Sequence, residues 1–266
     1  MNPIPVLLYH SVSDQPSRAL VDYTISTGLL AEHAAAIAEQ GWRVVTISDL
    51  ERIIADGSCE DQPSLAITFD DGFADNAEHA AGVLSEFGLQ ATLYVTTGSI
   101  GGSCEWLGSG GRRPMASWAQ LQDLASAGWE IGAHSVTHPE LDILSRSQSN
   151  RQIVDSRAAL QDGLRLPIDS FAYPHGYHSD AVRRSVIDAG FSSAVAVKNT
   201  LSSDRDDSFA RARLTVKSDL STACMSLLLA GSDGPRPATG SDRERVRTTA
   251  WRKYRRLRNI VSAGPR

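Results

Sequence analysis

The sequence predicts an α/β fold with parallel strands, and three observations carry that expectation. A helix-like segment, a glycine and a strand-like run recur four times, as "AIAEQGWRVVTI", "VLSEFGLQATLYV", "DLASAGWEIGAH" and "SVIDAGFSSAVAV". The strand-like runs are apolar on both alternating faces, as expected where helices cover both sides of a sheet. Strand and helix alternate along the chain, the pattern of parallel sheets rather than of sandwiches or bundles. The number of units suits a barrel or a doubly wound sheet, and in both the chemistry sits at the C-terminal ends of the strands.

Each element has a local reason. Gly41, Gly88, Gly128 and Gly190 stand where a helix end needs a left-handed residue. Ser48 to Glu51 and Ser117 to Gln120 both read as capping boxes. Ser179 is placed to cap "DAVRRSVIDAG". Further strands are expected in "PVLLYH", "SLAITF", "SFAYP" and "ARLTV". The Gly/Ser-rich stretch at residues 98–117 reads as a long loop overhanging the catalytic face, the kind of loop that is usually functional. His33 and His79 lie on helix patterns and are expected at the surface, and Trp42, Trp118 and Trp129 in the core.

Composition narrows the class. The chain has 266 residues, with 41% apolar and 21% charged residues, ordinary values for a globular protein. No run approaches the ~18 apolar residues of a membrane span. The opening "MNPIPVLLYHSV" has no Lys or Arg ahead of its apolar stretch and is not read as a secretory signal. Cys59, Cys104 and Cys224 are far apart and without CxxC spacing, which argues against a disulfide framework or a zinc knuckle. A cytoplasmic location, with peripheral membrane contact left open, is the resulting expectation.

Charge divides the chain. Residues 232–266 hold ten Lys/Arg against three acids, so they carry +7 of the net −5, leaving −12 on residues 1–231. The body at residues 1–231 is expected to be the catalytic domain, and 232–266 a linker followed by a basic tail that could be helical. An acidic body excludes nucleic acid as a partner of its main surface. The tail can be read as a basic amphipathic helix on an anionic membrane or, as preferred here, as a solvated basic tail.

Strand ends carry the titratable residues: His10, the Asp70–Asp71 pair, His134 and the turn "YPHG". Two adjacent carboxylates repel and raise each other's pKa, so a nearby cation is expected to justify them. "GWEIGAHSVTHPEL" puts His134 and His138 four apart, but Pro139 disfavours a helix there. Two imidazoles plus a carboxylate make a three-ligand set with an open position for water, and Asp71 is the natural third ligand. Neighbours on an extended segment point apart, so Asp70 and Asp71 are expected to take separate roles.

"TFDDGFAD", "HSVTHPEL" and "FAYPHG", in this order and over roughly residues 4 to 216, resemble the polysaccharide deacetylases, the NodB-homology carbohydrate esterases. The resemblance implies a distorted, incomplete (β/α) barrel. It implies a metal-dependent hydrolase that removes N-acetyl groups from an amino sugar in a polysaccharide, oligosaccharide or glycolipid. It assigns Asp71, His134 and His138 to a divalent metal, usually zinc, and Asp70 to the general base. "PVLLYHSV" and "FAYPHG" are most similar to the branch that handles exopolysaccharides and lipid-linked sugars. Tyr173, Pro174 and Trp106 are expected to contact substrate, with the N–H of His175 at the oxyanion. Other expectations stay open: a different amidase or an O-acetyl esterase on the same site, or a non-catalytic carbohydrate-binding relative.

Two departures from that family's pattern stand out. Many relatives carry Arg-x-Pro-Tyr where this chain has Ala172-Tyr173-Pro174-His175, so the arginine that orients the base is missing there. Arg213, in "RARLTV", is expected to replace it, ahead of Arg211. No histidine follows His178, where relatives place a general acid. His10 is expected to serve instead, with His175 and His178 as alternatives.

Overall fold

A computed structural model describes residues 3–58, 63–108 and 111–229. The basic tail, the linker and Cys59 lie outside the described residues.

Among the described residues, eight parallel strands form one curled sheet. In chain order they are β1 (Val6–Tyr9), β4 (Arg43–Val45), β5 (Ser64–Phe69), β6 (Thr92–Val95), β7 (Glu130–Ala133), β8 (Ser170–Ala172), β9 (Ser193–Val195) and β10 (Leu214–Thr215). A separate parallel pair joins β2 (Ser11–Val12) to β3 (Thr24–Ile25). The spatial order is β10-β1-β5-β6-β7-β8-β9. β4 shares β5, pairing with Ser64–Ala66, while β6 takes Thr68 and Phe69. An isolated parallel bridge joins Val195 to Arg211, so the segment leading into β10 touches β9 as well as β1. This is the distorted, incomplete parallel barrel that the resemblance implies.

The two strand faces bury different things. Leu7, Tyr9, Ile67, Phe69, Leu93, Val95, Ile131 and Phe171 face outward into the core shared with the surrounding helices. Val6, Ala66, Tyr94, Ala172 and Val195 face inward. The inner cluster is completed by Ile47, Leu50 and Ile53 of α2 (Ile47–Ala55), which plugs the floor. That leaves the opposite end, where the strands finish, free to hold a site.

Around the sheet run α1 (Thr27–Glu39), α3 (Ala81–Glu86), α4 (Trp118–Ser126), α5 (Arg146–Leu164), α6 (Asp180–Asp188) and α7 (Thr222–Leu229). Gly41, Gly88, Gly128 and Gly190 all have φ between 66° and 90°, as helix ends require. The Ser117–Gln120 capping box is present, and Ser179 accepts from the Val182 N–H.

The expected Ser48–Glu51 box is not present. Thr46 caps α2 through the Asp49 N–H. Ser48 instead donates to the buried-side carboxylate of Glu130 at 2.5 Å, and Glu51 pairs with Arg211. Both residues point into the barrel floor, where an unpaired charge would be costly; that pairing overrides the local pattern.

Trp118 also departs from expectation, being 37% exposed. It lies over Gly163 of α5, where an added Cβ would fall 2.2 Å from the indole. His33 is a stronger correction, since it is fully buried. Helical spacing alone does not say which face is covered, and α1 is covered by α7 on this side. The His33 Nε2 donates to the Leu220 carbonyl at 3.0 Å, leaving Nδ1 to accept from the Tyr9 hydroxyl at 3.2 Å. Burial pushes its pKa down to about 4, against smaller opposing effects of Leu220 and Glu32.

A depressed imidazole pKa stabilises the fold above the unfolded value near 6.5 and loses that contribution as pH falls toward 4. We expect wild-type unfolding free energy to fall between those pH values by up to about 3 kcal/mol from this group. The measurement is urea unfolding at several pH values for wild type and His33→Gln; a slope in that window identical in both would refute it.

Candidate active site

The site lies at the strand ends, opposite the α2 floor. β5 ends in Asp70, whose N–H donates to the Tyr9 carbonyl at 3.0 Å and so still belongs to the ladder. Asp71 turns left-handed, with φ 74°, followed by Gly72 at 84°. An ordinary side chain rarely sits at positive φ, and such residues cluster at functional sites. Glycine is needed next, because a Cβ on Gly72 would lie 3.1 Å from Val95 while φ is positive. The expected extended geometry for the pair is therefore corrected. The separate roles survive, since the turn gives each carboxylate its own partners.

Asp70 receives both ends of a guanidinium. Arg213 Nη1 and Nη2 each lie 2.7 Å from a carboxylate oxygen. Both residues are almost fully buried. Nη1 also donates to Thr68 at 3.2 Å, Nε donates to the Ala196 carbonyl at 3.2 Å, and the guanidinium sits 5.6 Å from the Tyr94 ring centre. Burial by itself would raise the Asp70 pKa, but Arg213, then His134 and His10, hold it below the usual carboxylate value. Arg211 is not part of this cluster: it is tied to Glu51, Ser202 and the Ser203 carbonyl.

Asp71 faces imidazoles. Its Oδ1 lies 3.2 Å from His138 Nε2 and 3.6 Å from His134 Nε2. Burial pushes its pKa up, yet His138 and hydrogen bonds from both imidazoles bring it well below normal. His134 is opposed by burial, but Asp70 and Asp71 together raise its pKa. One ligand atom from each of Asp71, His134 and His138 lies within 4.8 Å of the others, and all three residues are buried. His134 Nδ1 donates to the Ala172 carbonyl at 2.8 Å, so that in the neutral ring Nε2, turned toward Asp71, is the nitrogen free to ligate. The donor set of one carboxylate and two imidazoles, all buried, fits a divalent cation with positions left over.

The His138 turn is held from two sides. Ser135 and His138 both have positive φ, at 66° and 60°, and Ser135 Oγ accepts from the His138 N–H at 3.1 Å. Gly98 approaches so closely that its N–H donates to the Val136 carbonyl at 2.8 Å, and a Cβ there would stand 2.7 Å from that oxygen. Gln152 of α5 clamps the other side, accepting from the Val136 and Thr137 N–H groups and donating to the Thr137 hydroxyl. Neither Gly98 nor Gln152 is in the expected site. Nothing local marks Gln152, whose partners are fifteen or sixteen residues away.

The remaining expected residues divide. His10 ends β1 beside Tyr23, with ring centres 5.2 Å apart. Burial lowers its pKa, against the opposing Asp71 and Asp70 charges. His175, at φ 59°, sets its ring edge-on to His138 at 4.5 Å. Pro174 begins that turn and is buried. Trp106 reaches in from the 98–117 loop and stacks on His138 at 4.8 Å.

Tyr173 is a correction: its ring lies in the outer core, and its hydroxyl donates to the Phe209 carbonyl. The alternation of strand faces, which continues past Ala172, turns this ring away from the mouth. His178 follows it out, stacking on Tyr173 at 4.5 Å.

The polysaccharide deacetylase family matches residues 57–194, just over half of the chain. The chain belongs to the polysaccharide deacetylase family. A curated relative, YxkH of Bacillus subtilis, whose name assigns it provisionally to polysaccharide deacetylases, is 22% identical over 218 residues, covering 82% of this chain and 73% of its own.

Among solved structures the fold is similar to that of the Streptococcus pyogenes deacetylase PplD, determined with acetate. The TM-score there is 0.75 at 19% identity, covering 85% of this chain and 98% of that one. IcaB from Ammonifex degensii matches with a TM-score of 0.73 at 23% identity, over 86% and 97%. For this polysaccharide deacetylase, no helix among the described residues is long and apolar enough to cross a membrane.

Proposed function

We propose that the chain is a metal-dependent hydrolase that removes N-acetyl groups from an amino sugar in a polysaccharide, oligosaccharide or glycolipid, with zinc as the expected metal. The observation that carries this reading is a carboxylate clamped ionised by Arg213 beside a second carboxylate and two imidazoles able to share one cation. Asp71, His134 and His138 would hold that cation. When bound, a divalent ion there makes water acidic enough to attack at neutral pH and polarises the acyl carbonyl.

The residues of the chain do the rest. Asp70, with Oδ2 3.9 Å from His134 Nε2, is the proposed base that takes the proton of the attacking water. Its depressed pKa keeps it ionised and ready. Arg213 fixes both carboxylate oxygens, so the base presents one orientation. The N–H of His175 is assigned to the developing oxyanion.

His10 is assigned the proton for the departing amine. Burial lowers its pKa, and in this proposal the proton that Asp70 takes from water reaches the amine through His10. The similarity of "PVLLYHSV" and "FAYPHG" to the exopolysaccharide and lipid-linked-sugar branch supports a substrate of that class.

Arg213 weakens the case for a non-catalytic relative, because the missing arginine of the third motif has a replacement at the base. Acetate release tests the proposal, using N-acetylated oligosaccharides and an O-acetylated set, each with and without chelator. We expect release from the N-acetylated set, abolished by chelator and restored by zinc. Release from the O-acetylated set alone would assign an esterase. One bound metal ion with no release from either set would assign a carbohydrate-binding relative.

A further inference from the structure

The two imidazoles of the trio are held differently. His134 is anchored through Nδ1 on a backbone carbonyl, the usual way a protein fixes a ligating histidine. His138 has no such anchor: its Nδ1 is buried and, among the described residues, has no hydrogen-bond partner. Its ring is instead confined by neighbouring rings. Trp106 lies over one face, with centroids 4.8 Å apart and planes 27° from parallel. His175 meets it edge-on at 62°.

The indole comes from a framed loop, not a loose one. Ser103 and Pro114 form an antiparallel bridge. The Met115 N–H donates to Gly102, and the Ala116 N–H donates to Gly72, the residue after Asp71. Arg113 pairs with the buried Asp75 at 2.9 Å. Trp106 itself packs in a small cluster with Leu20, Phe73, Cys104 and Met115. This loop is therefore fastened to the same turn that carries Asp71.

We propose that Trp106 is a positioning residue for the metal, fixing the His138 ring plane so that Nε2 meets Asp71 Oδ1. It does by stacking what the Ala172 carbonyl does for His134. The inference rests on the metal reading above. It gives Trp106 a role beside the substrate contact expected of it, through the indole face that His138 occupies. An imidazole with neither a hydrogen bond nor a stacked face can rotate about its Cβ–Cγ bond, and ligation must then freeze that freedom.

The test is zinc affinity by chelator competition for wild type, Trp106→Ala and Trp106→Phe, with circular dichroism to establish folding. Trp106→Ala is expected to bind zinc about tenfold more weakly or worse, while Trp106→Phe, which keeps an aromatic face, stays close to wild type. Cobalt quenching of tryptophan fluorescence is the second readout: strong in wild type and largely lost in Trp106→Phe at equal cobalt occupancy. That readout stands even if Trp106→Ala does not fold. Zinc affinity unchanged in Trp106→Ala, a Phe variant as weak as the Ala variant, or undiminished quenching in Trp106→Phe would each overturn the inference. A wild-type protein that binds no zinc would instead remove the metal reading itself.

Discussion

Asp70→Asn is expected to lower kcat for acetate release by about 10²- to 10⁴-fold, the usual loss of a general base, while zinc affinity stays near wild type. The reasoning separates the two adjacent carboxylates. Asp71 carries the ligand contacts with both imidazoles, whereas Asp70 is clamped by Arg213. An amide at position 70 keeps one acceptor for the guanidinium but cannot take a proton from water. Thermal unfolding is measured alongside, because a partly unpaired Arg213 also costs stability. Full hydrolytic rate in Asp70→Asn on a confirmed substrate would remove Asp70 from the chemistry.

Arg213→Met is expected to destabilise the fold by about 3–5 kcal/mol, the cost of leaving one member of a buried ion pair alone. It should also move the acid limb of the rate profile to higher pH. Burial, the largest influence on Asp70, raises its pKa, and Arg213 is the main influence holding it down; without the guanidinium the raising effect prevails.

The same sign governs stability. A depressed carboxylate pKa stabilises the native state above the unfolded value near 3.9 and is lost as pH falls through the folded value. That acid-side dependence should shrink in the variant. Arg213→Lys retains a charge but not the two-pronged geometry and should recover only part of either loss. Equilibrium unfolding and pH–rate profiles of the three proteins measure both effects. An unshifted acid limb in Arg213→Met would contradict the assignment.

Sequence logic reached furthest where a constraint is local. Helix ends at Gly41, Gly88, Gly128 and Gly190, and caps at Ser117 and Ser179, follow from backbone rules within a few residues, and the structure has them where expected. The Asp71, His134 and His138 trio was legible because Asp71 and His134 follow the ends of β5 and β7, His138 lies in the turn just beyond, and parallel strands end on one face.

Long-range pairing was less legible. Arg213 reaches Asp70 across 143 residues, and only chain order suggested it. The capping pattern at Ser48 and Glu51 misled because Glu130 and Arg211, distant in sequence, claim those side chains. His33 is buried because α7 covers its side of α1, and Tyr173 turns outward with the strand pleat. Trp106 was rightly placed on an overhanging loop, but its partner is a histidine of the trio.

Anomalous diffraction from crystals grown with zinc tests the central claim most directly. The account predicts a single peak about 2.0–2.3 Å from Asp71 Oδ1, His134 Nε2 and His138 Nε2, with Asp70 still on Arg213 and outside bonding distance. A peak bound elsewhere, or none at saturating zinc, would contradict it.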